Sequence, residues 1–164
     1  MACVPRLQRL LDERQVEYQV VPHREAFTAQ EVAQSTHVPG RMLAKVVVLR
    51  TGSAAWHLFT IPATAQLALD VVQEVTGLPV LGFATEPEIQ RLFPDCEVGA
   101  MPPFGALWDV PMSLDAAFDG AGEIYFQAGN HHEVVRMRFA DYRRVAGPFA
   151  HIAHFERPVK AARG

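Results

Sequence analysis

Three stretches carry residues whose types and spacing suit chemistry. The first is Lys45, which opens the apolar run Lys45-Val-Val-Val-Leu49. A lysine is almost never fully buried without a partner. Two readings stand: a strand-end lysine whose stem packs while its ammonium reaches water, or a cation at a pocket rim that holds a phosphate or hydroxyl of a ligand. The second stretch is Cys96-Glu97-Val98-Gly99-Ala100-Met101-Pro102-Pro103-Phe104-Gly105. Each proline fixes φ near about −65° and removes a backbone donor. The glycines let the chain turn where a side chain would clash. Such a segment is a stiff loop. Gly99, Ala100 and Met101 keep their N–H groups, a short donor row suited to a carbonyl or ester. A rigid connector would show the same spacing. The third stretch is the turn Gly129-Asn130-His131. Alternation sets His131, Glu133, Val135 and Met137 on one side and His132, Val134, Arg136 and Arg138 on the other. This predicts His131 at a cavity edge and His132 outside with the arginines.

Other polar residues are less patterned. Cys96 beside Glu97 would be a nucleophile if paired with a histidine, but a buried structural cysteine is the commoner case. No His-Glu-x-x-His, Gly-x-Ser-x-Gly, P-loop or dinucleotide fingerprint is present. His151 and His154 have no acid pair near them in sequence. No metal and no cofactor is expected. Arg136, Arg138, Arg143 and Arg144 cluster late in the chain. They form a solvated face or, if they share a side with Lys45, a strip of phosphate contacts.

Composition narrows the classes. Length 164 suffices for one domain with a real core. A net charge of −3 gives no global basic field, which disfavours tight non-specific nucleic-acid binding. Two cysteines, Cys3 and Cys96, make no disulfide scaffold and no zinc spacing. No apolar run is long enough for a signal peptide or a membrane span, so a cytoplasmic protein without membrane partners is expected.

These residues need elements to hold them. Val4, Leu7, Leu10 and Leu11 share a helical face, predicting a helix over 5–14. Val16, Tyr18 and Val20 alternate as a strand. Thr28 and Glu31 form a capping box for a helix to about Thr36. Lys45–Leu49 reads as a central strand buried on two sides, with Trp56–Ile61 as its hairpin partner. Ala65–Thr76 is either one helix or a short strand followed by a helix capped by Asp70. Pro79–Phe83 reads as a strand, Thr85 and Glu88 as a second capping box, and Trp108–Asp115 as another strand. Glu123–Ala128 and His131–Arg138 form a hairpin, and Phe139–Val145 a helix. The expected fold is a single α+β domain over 1–164, a mixed, mostly antiparallel central sheet surrounded by helices, with 158–164 frayed.

Taken in this order, Ala44-Lys45-Val46-Val47, Cys96-Glu-x-Gly99-x-x-Pro102-Pro103-Phe104-Gly105 and Ala128-Gly129-x-His131 are specific together. From about Val16 to Phe155 the chain resembles the YbaK/prolyl-tRNA-synthetase-associated domain family, the trans-editing aminoacyl-tRNA deacylases. The resemblance implies hydrolysis of the ester of mischarged aminoacyl-tRNA bearing a small amino acid such as Ala, Ser, Thr or Cys. It implies Lys45 near the terminal adenosine at the acceptor end. It also implies that Gly99, with Ala100, Met101, Pro102 and Pro103, lines the aminoacyl pocket, and that Gly129 and His131 shape it. A synthetase is the further partner it implies. An aminoacyl ester is already activated, so a site need only hold the carbonyl, admit water and exclude larger side chains. Two other classes fit the same residues: a non-catalytic module binding charged tRNA or a synthetase, and a hydrolase acting through Cys96.

Overall fold

The computed structural model describes residues 4–156. Cys3 and the tail expected to fray lie outside the described residues. The chain runs α1 (Pro5–Glu13), β1 (Tyr18–Pro22), α2 (Ala29–Thr36), β2 (Leu43–Gly52), β3 (Ala55–Pro62), α3 (Leu69–Thr76), β4 (Gly82–Phe83) and α4 (Glu86–Leu92). It continues with β5 (Met112–Asp115), β6 (Glu123–Gln127), β7 (Glu133–Arg138), α5 (Phe139–Ala146) and β8 (Ile152–Ala153). This is a single α+β domain built on one mixed sheet of eight strands.

Local chemistry starts and stops the helices. Pro5 sits in the first turn of α1, where its missing N–H costs nothing, and Leu7 and Leu11 point fully inward. Thr28 caps α2 by accepting from the Glu31 N–H at 3.1 Å. Thr85 and Glu88 cap α4 reciprocally, at 2.9 and 3.3 Å. Helix α3 begins after Ala68 and ends at Gly77. Asp70 lies in its first turn, where a carboxylate complements the dipole, and is not its cap. Leu67 bridges Glu156 instead of continuing the helix.

The sheet order is β1-β7-β6-β2-β3-β5-β8, with β4 also paired to β2. Hairpins β2/β3 and β6/β7, together with β1/β7 and β2/β4, are antiparallel; β2/β6, β3/β5 and β5/β8 are parallel. Helices cover both faces. One face carries Val4, Leu7, Leu11, Phe104, Phe126 and Tyr142. The other carries two smaller clusters, one around Val32, Leu43 and Val134 under α2, the other around Phe59, Val72 and Phe155 under α3.

Four expectations fail. Trp108 is not in a strand. Residues Gly105–Trp108 coil into a 3-10 turn, and Asp109 at φ 56° breaks the chain before Met112. His131 is not in the hairpin strand, because Asn130 Oδ1 accepts from the His132 N–H at 3.0 Å and widens the turn to Glu133. The one-side-in reading of that strand also fails: Val134 and Val135 are both fully buried, since β7 lies between β1 and β6 with both its faces covered. The segment read as a strand from Pro79 keeps only Gly82 and Phe83 in the sheet, paired to Arg50 and Leu49.

Candidate active site

Strand β2 is shared along the edge that β3 leaves open. At its start β6 pairs with Leu43 and Ala44, and at its end β4 pairs with Leu49 and Arg50. After the pair Ala44 with Phe126, β2 and β6 part. Lys45 and Gln127 are the next residues on each side of this fork. A cleft of about 160 Å³ opens there, lined by Ala29 at the start of α2, Ala44, Lys45, Val46, Gly99, Met101 and Gln127. The fold thus brings Lys45 and the proline loop to one cavity. Lys45 is half-buried, makes no ion pair among the described residues, and burial lowers its ammonium pKa.

The glycine–proline loop and the glycine–histidine turn are built to fit each other. The Glu97 N–H donates to the Gly129 carbonyl at 2.8 Å, and the Gly129 N–H to the Ala100 carbonyl at 2.8 Å. The His131 N–H donates to Glu97 Oε2 at 2.7 Å. His131 Nε2 lies 2.8 Å from the Val98 carbonyl, which can only accept, so this nitrogen carries the proton. Four bonds therefore clasp two segments that are 33 or 34 residues apart at His131. Gly99 sits at φ +90° and Gly129 at φ +104°, where side chains are strained. A Cβ on Gly129 would also lie 3.0 Å from Val4 Cβ. Behind the loop, the buried Tyr142 hydroxyl donates to the Pro103 carbonyl at 2.8 Å.

This packing revises the roles expected of single residues. The donor row is not free: the Gly99 N–H meets Met101 Sδ at 3.2 Å and the Ala100 N–H donates to the Glu97 carbonyl at 3.0 Å. The tight turn that Gly99 permits folds these donors back on the loop itself. The Met101 N–H has no partner among the described residues. Ala100, Pro102 and Pro103 are buried behind the cleft and do not line it. Gly129 borders a separate hollow with Val4, Cys96 and Asn130. His131 is 6 % exposed and outside the cleft lining; it pins the loop and packs against Phe27 with the rings tilted by 46° and their centres 4.8 Å apart.

None of the four arginines lines the cleft. Arg136 pairs with Glu123 and lies over Tyr125, at the far end of β6 from Gln127. Arg143 pairs with Asp119 and Arg144 with Asp141, each at 3.2 Å. The phosphate strip with Lys45 therefore does not assemble: local carboxylates hold three of its members. Cys96 is also outside the cleft. Burial, and after it the charge of Asp95, push its thiol up to about 12, so it is no nucleophile at neutral pH.

His154 does have acidic neighbours. The pairing of β5 with β8 brings Asp115, His154 and Glu156 together, with donor atoms within 4.8 Å of one another. This cluster lies at the β5/β8 edge of the sheet and shares no residue with the cleft. Sequence reasoning missed two residues of the site. Glu97 supplies the side-chain tie of the clasp. Gln127 lines the cleft beside Lys45. Its signal was a carboxamide at the end of the run Glu123-Ile-Tyr-Phe-Gln127, just before buried Ala128.

Comparison with solved structures finds the same fold over nearly the whole chain. A proposed trans-editing enzyme for prolyl tRNA synthetase superposes with a TM-score of 0.77 at 23% identity, covering 94% of this chain and 97% of that one. The hypothetical protein APE2540 superposes with a TM-score of 0.80 at 16% identity, over 93% of this chain and 99% of that one. No curated protein matches. A family model for the aminoacyl-tRNA editing domain matches residues 23–145, a span that holds Lys45, the clasped loop and turn, and Gln127. The chain belongs to the aminoacyl-tRNA editing domain family.

Proposed function

We propose that this chain hydrolyses the ester joining a small amino acid, such as Ala, Ser, Thr or Cys, to the wrong tRNA. The observation that carries the reading is Lys45: half-buried, without an ion-pair partner among the described residues, and sharing a small cleft with Gly99 and Met101. An unneutralised ammonium in a partly desolvated cavity attracts the anionic or hydroxyl-rich end of a nucleotide. The cleft volume, about 160 Å³, favours a small acyl group. Its lining holds no thiol, imidazole or carboxylate. Water is therefore the nucleophile: its oxygen adds to the ester carbonyl, the carbonyl–ribose bond breaks, and the ribose hydroxyl leaves protonated. The Met101 N–H is the donor best placed for the developing oxyanion. Charged tRNA is met in the cytoplasm, where we place the protein, and its acceptor end is the partner.

The test is a panel of tRNAs mischarged with Ala, Ser, Thr and Cys, assayed for release of free amino acid. Hydrolysis of at least one, lost in Lys45→Ala, supports the reading. Binding of charged tRNA with no hydrolysis of any of them overturns it in favour of a sequestering module.

A further inference from the structure

We propose that Gln127 is a substrate-binding residue of this cleft, its amide oxygen accepting a hydrogen bond from a hydroxyl beside the scissile ester. The inference rests on the editing reading of the site. Gln127 is 8 % exposed, and its Oε1 is buried with no partner among the described residues. Buried polar side chains in folded proteins are nearly always paired. Nothing in the fold requires an amide at this position. Its neighbours Phe126 and Ala128 are fully buried, its backbone pairs with Val134, and the cleft around it offers Ala44, Val46 and Met101. An apolar side chain would fill the place without leaving an open acceptor. The side chain that carries this unpaired oxygen instead lines the cleft.

The chemistry of the pair defines what it takes. Lys45 only donates and Gln127 Oε1 only accepts. An ammonium group would satisfy the acceptor but would meet the like charge of Lys45 in the same small cavity. A hydroxyl is neutral and can accept from Lys45 while donating to Gln127. Two hydroxyls can stand beside the ester of an aminoacyl-tRNA: the free ribose hydroxyl of the terminal nucleotide, and the side-chain hydroxyl of Ser or Thr.

The experiment compares wild type with Gln127→Met, which keeps the volume and removes the acceptor. Each is assayed in single turnover on alanyl- and seryl-tRNA of non-cognate tRNAs, ending in adenosine or in the deoxyadenosine that lacks the free hydroxyl. The variant should lose about tenfold or more. A ribose contact gives equal loss with alanyl and seryl substrates and none on the deoxy terminus. A side-chain contact gives loss with the seryl substrate alone. No loss, or equal loss on all four substrates, overturns the proposal. Thermal melting separates a structural role: Gln127→Met should melt at or above the wild-type temperature, and a fall that tracks the activity loss also overturns it. A second readout does not depend on turnover. Alanyl and seryl amide analogues of 3′-amino-3′-deoxyadenosine, with and without the 2′-hydroxyl, are titrated while the Gln127 side-chain amide is followed by NMR. If wild type hydrolyses nothing yet this signal shifts only with the hydroxyl-bearing analogues, the deacylase reading fails and the Gln127 assignment stands. If the signal does not shift, the assignment fails.

Discussion

Lys45 and Cys96 are separated by what their surroundings do to their charge. The Lys45 ammonium has no counter-charge among the described residues at the wall of the cleft, and in the proposed function a substrate group supplies it. Removing it deletes a charge-assisted contact of about 1.5–3 kcal/mol, or roughly 10- to 150-fold in kcat/KM. Lys45→Ala should show that loss in deacylation, with a melting temperature at or above wild type, since no protein partner is orphaned. Full activity with an unchanged KM would remove Lys45 from the site. Cys96 stands on the other side of the loop with its thiol pushed up to about 12, chiefly by burial. Cys96→Ser should therefore keep most of the activity. Complete loss, with an acyl-enzyme seen by mass spectrometry in wild type, would make it the nucleophile after all.

The element that matters is the clasp between the loop and the turn, and a substitution there should act on geometry before stability. Gly99 needs its positive φ of +90°; a Cβ there would lie 3.5 Å from His131 Cε1, an ordinary contact. The cost of Gly99→Ala is thus backbone strain of about 1–2 kcal/mol, not a clash. Because Gly99 and Met101 both line the cleft, relaxing that strain moves the Met101 N–H. Deacylation per folded molecule should fall by up to two to three orders of magnitude, the cost of a lost oxyanion donor worth about 2.7–4 kcal/mol. Activity that merely follows the folded fraction in a urea series would reduce the loop to a connector. His131→Ala breaks the bond to the Val98 carbonyl. It should lower both melting temperature and turnover. These two motifs were legible in the sequence because their residue types are unusual: a diproline between glycines, a histidine after a turn glycine. The N-cap at Thr28, where only half of the expected capping box forms, the full capping box at Thr85 and the β2/β3 hairpin were legible for the same local reasons. Gln127, the ties from Glu97, and the pairing of Arg136 with Glu123 were not. Each depends on which strands become neighbours, and local spacing does not encode that.

At the scale of the whole molecule, the sheet separates the site from an ionisable lock at its β5/β8 edge, and the lock should make stability depend on pH. The Phe155 N–H donates to Asp115 Oδ2 at 3.2 Å, the Phe155 carbonyl accepts from the Ala68 N–H at 3.0 Å, and Phe155 packs against Phe59. This fastens the C-terminal segment across β5 and α3. Next to it, burial first, then a hydrogen bond that protonated Glu156 donates to the Asp115 carboxylate and the charge of that carboxylate, push Glu156 up to about 8 from an ordinary 4.5. A folded-state pKa raised above the unfolded value means that folding favours the proton. The contribution is full below about 4.5 and is lost as pH rises through about 8. His57, bonded to Ser113 at 2.7 Å, works in the other direction. Burial, and then the charge of His151, lower it to about 4, so its contribution is present above 6.5 and lost as pH falls through about 4. The two windows overlap between about 4.5 and 6.5, where the opposite slopes offset, so the melting temperature of wild type should stay near level there and decline between about 6.5 and 8. Glu156→Gln keeps a neutral side chain at every pH. It should abolish the decline between about 6.5 and 8 and uncover the His57 rise between about 4 and 6.5. Activity per folded molecule should not change, because Glu156 and the Lys45 cleft share no residue. A variant whose melting temperature still declines over that window would show that Glu156 is ionised in the folded chain. The closure of the C-terminal segment would then rest on Phe155 and its backbone bonds alone.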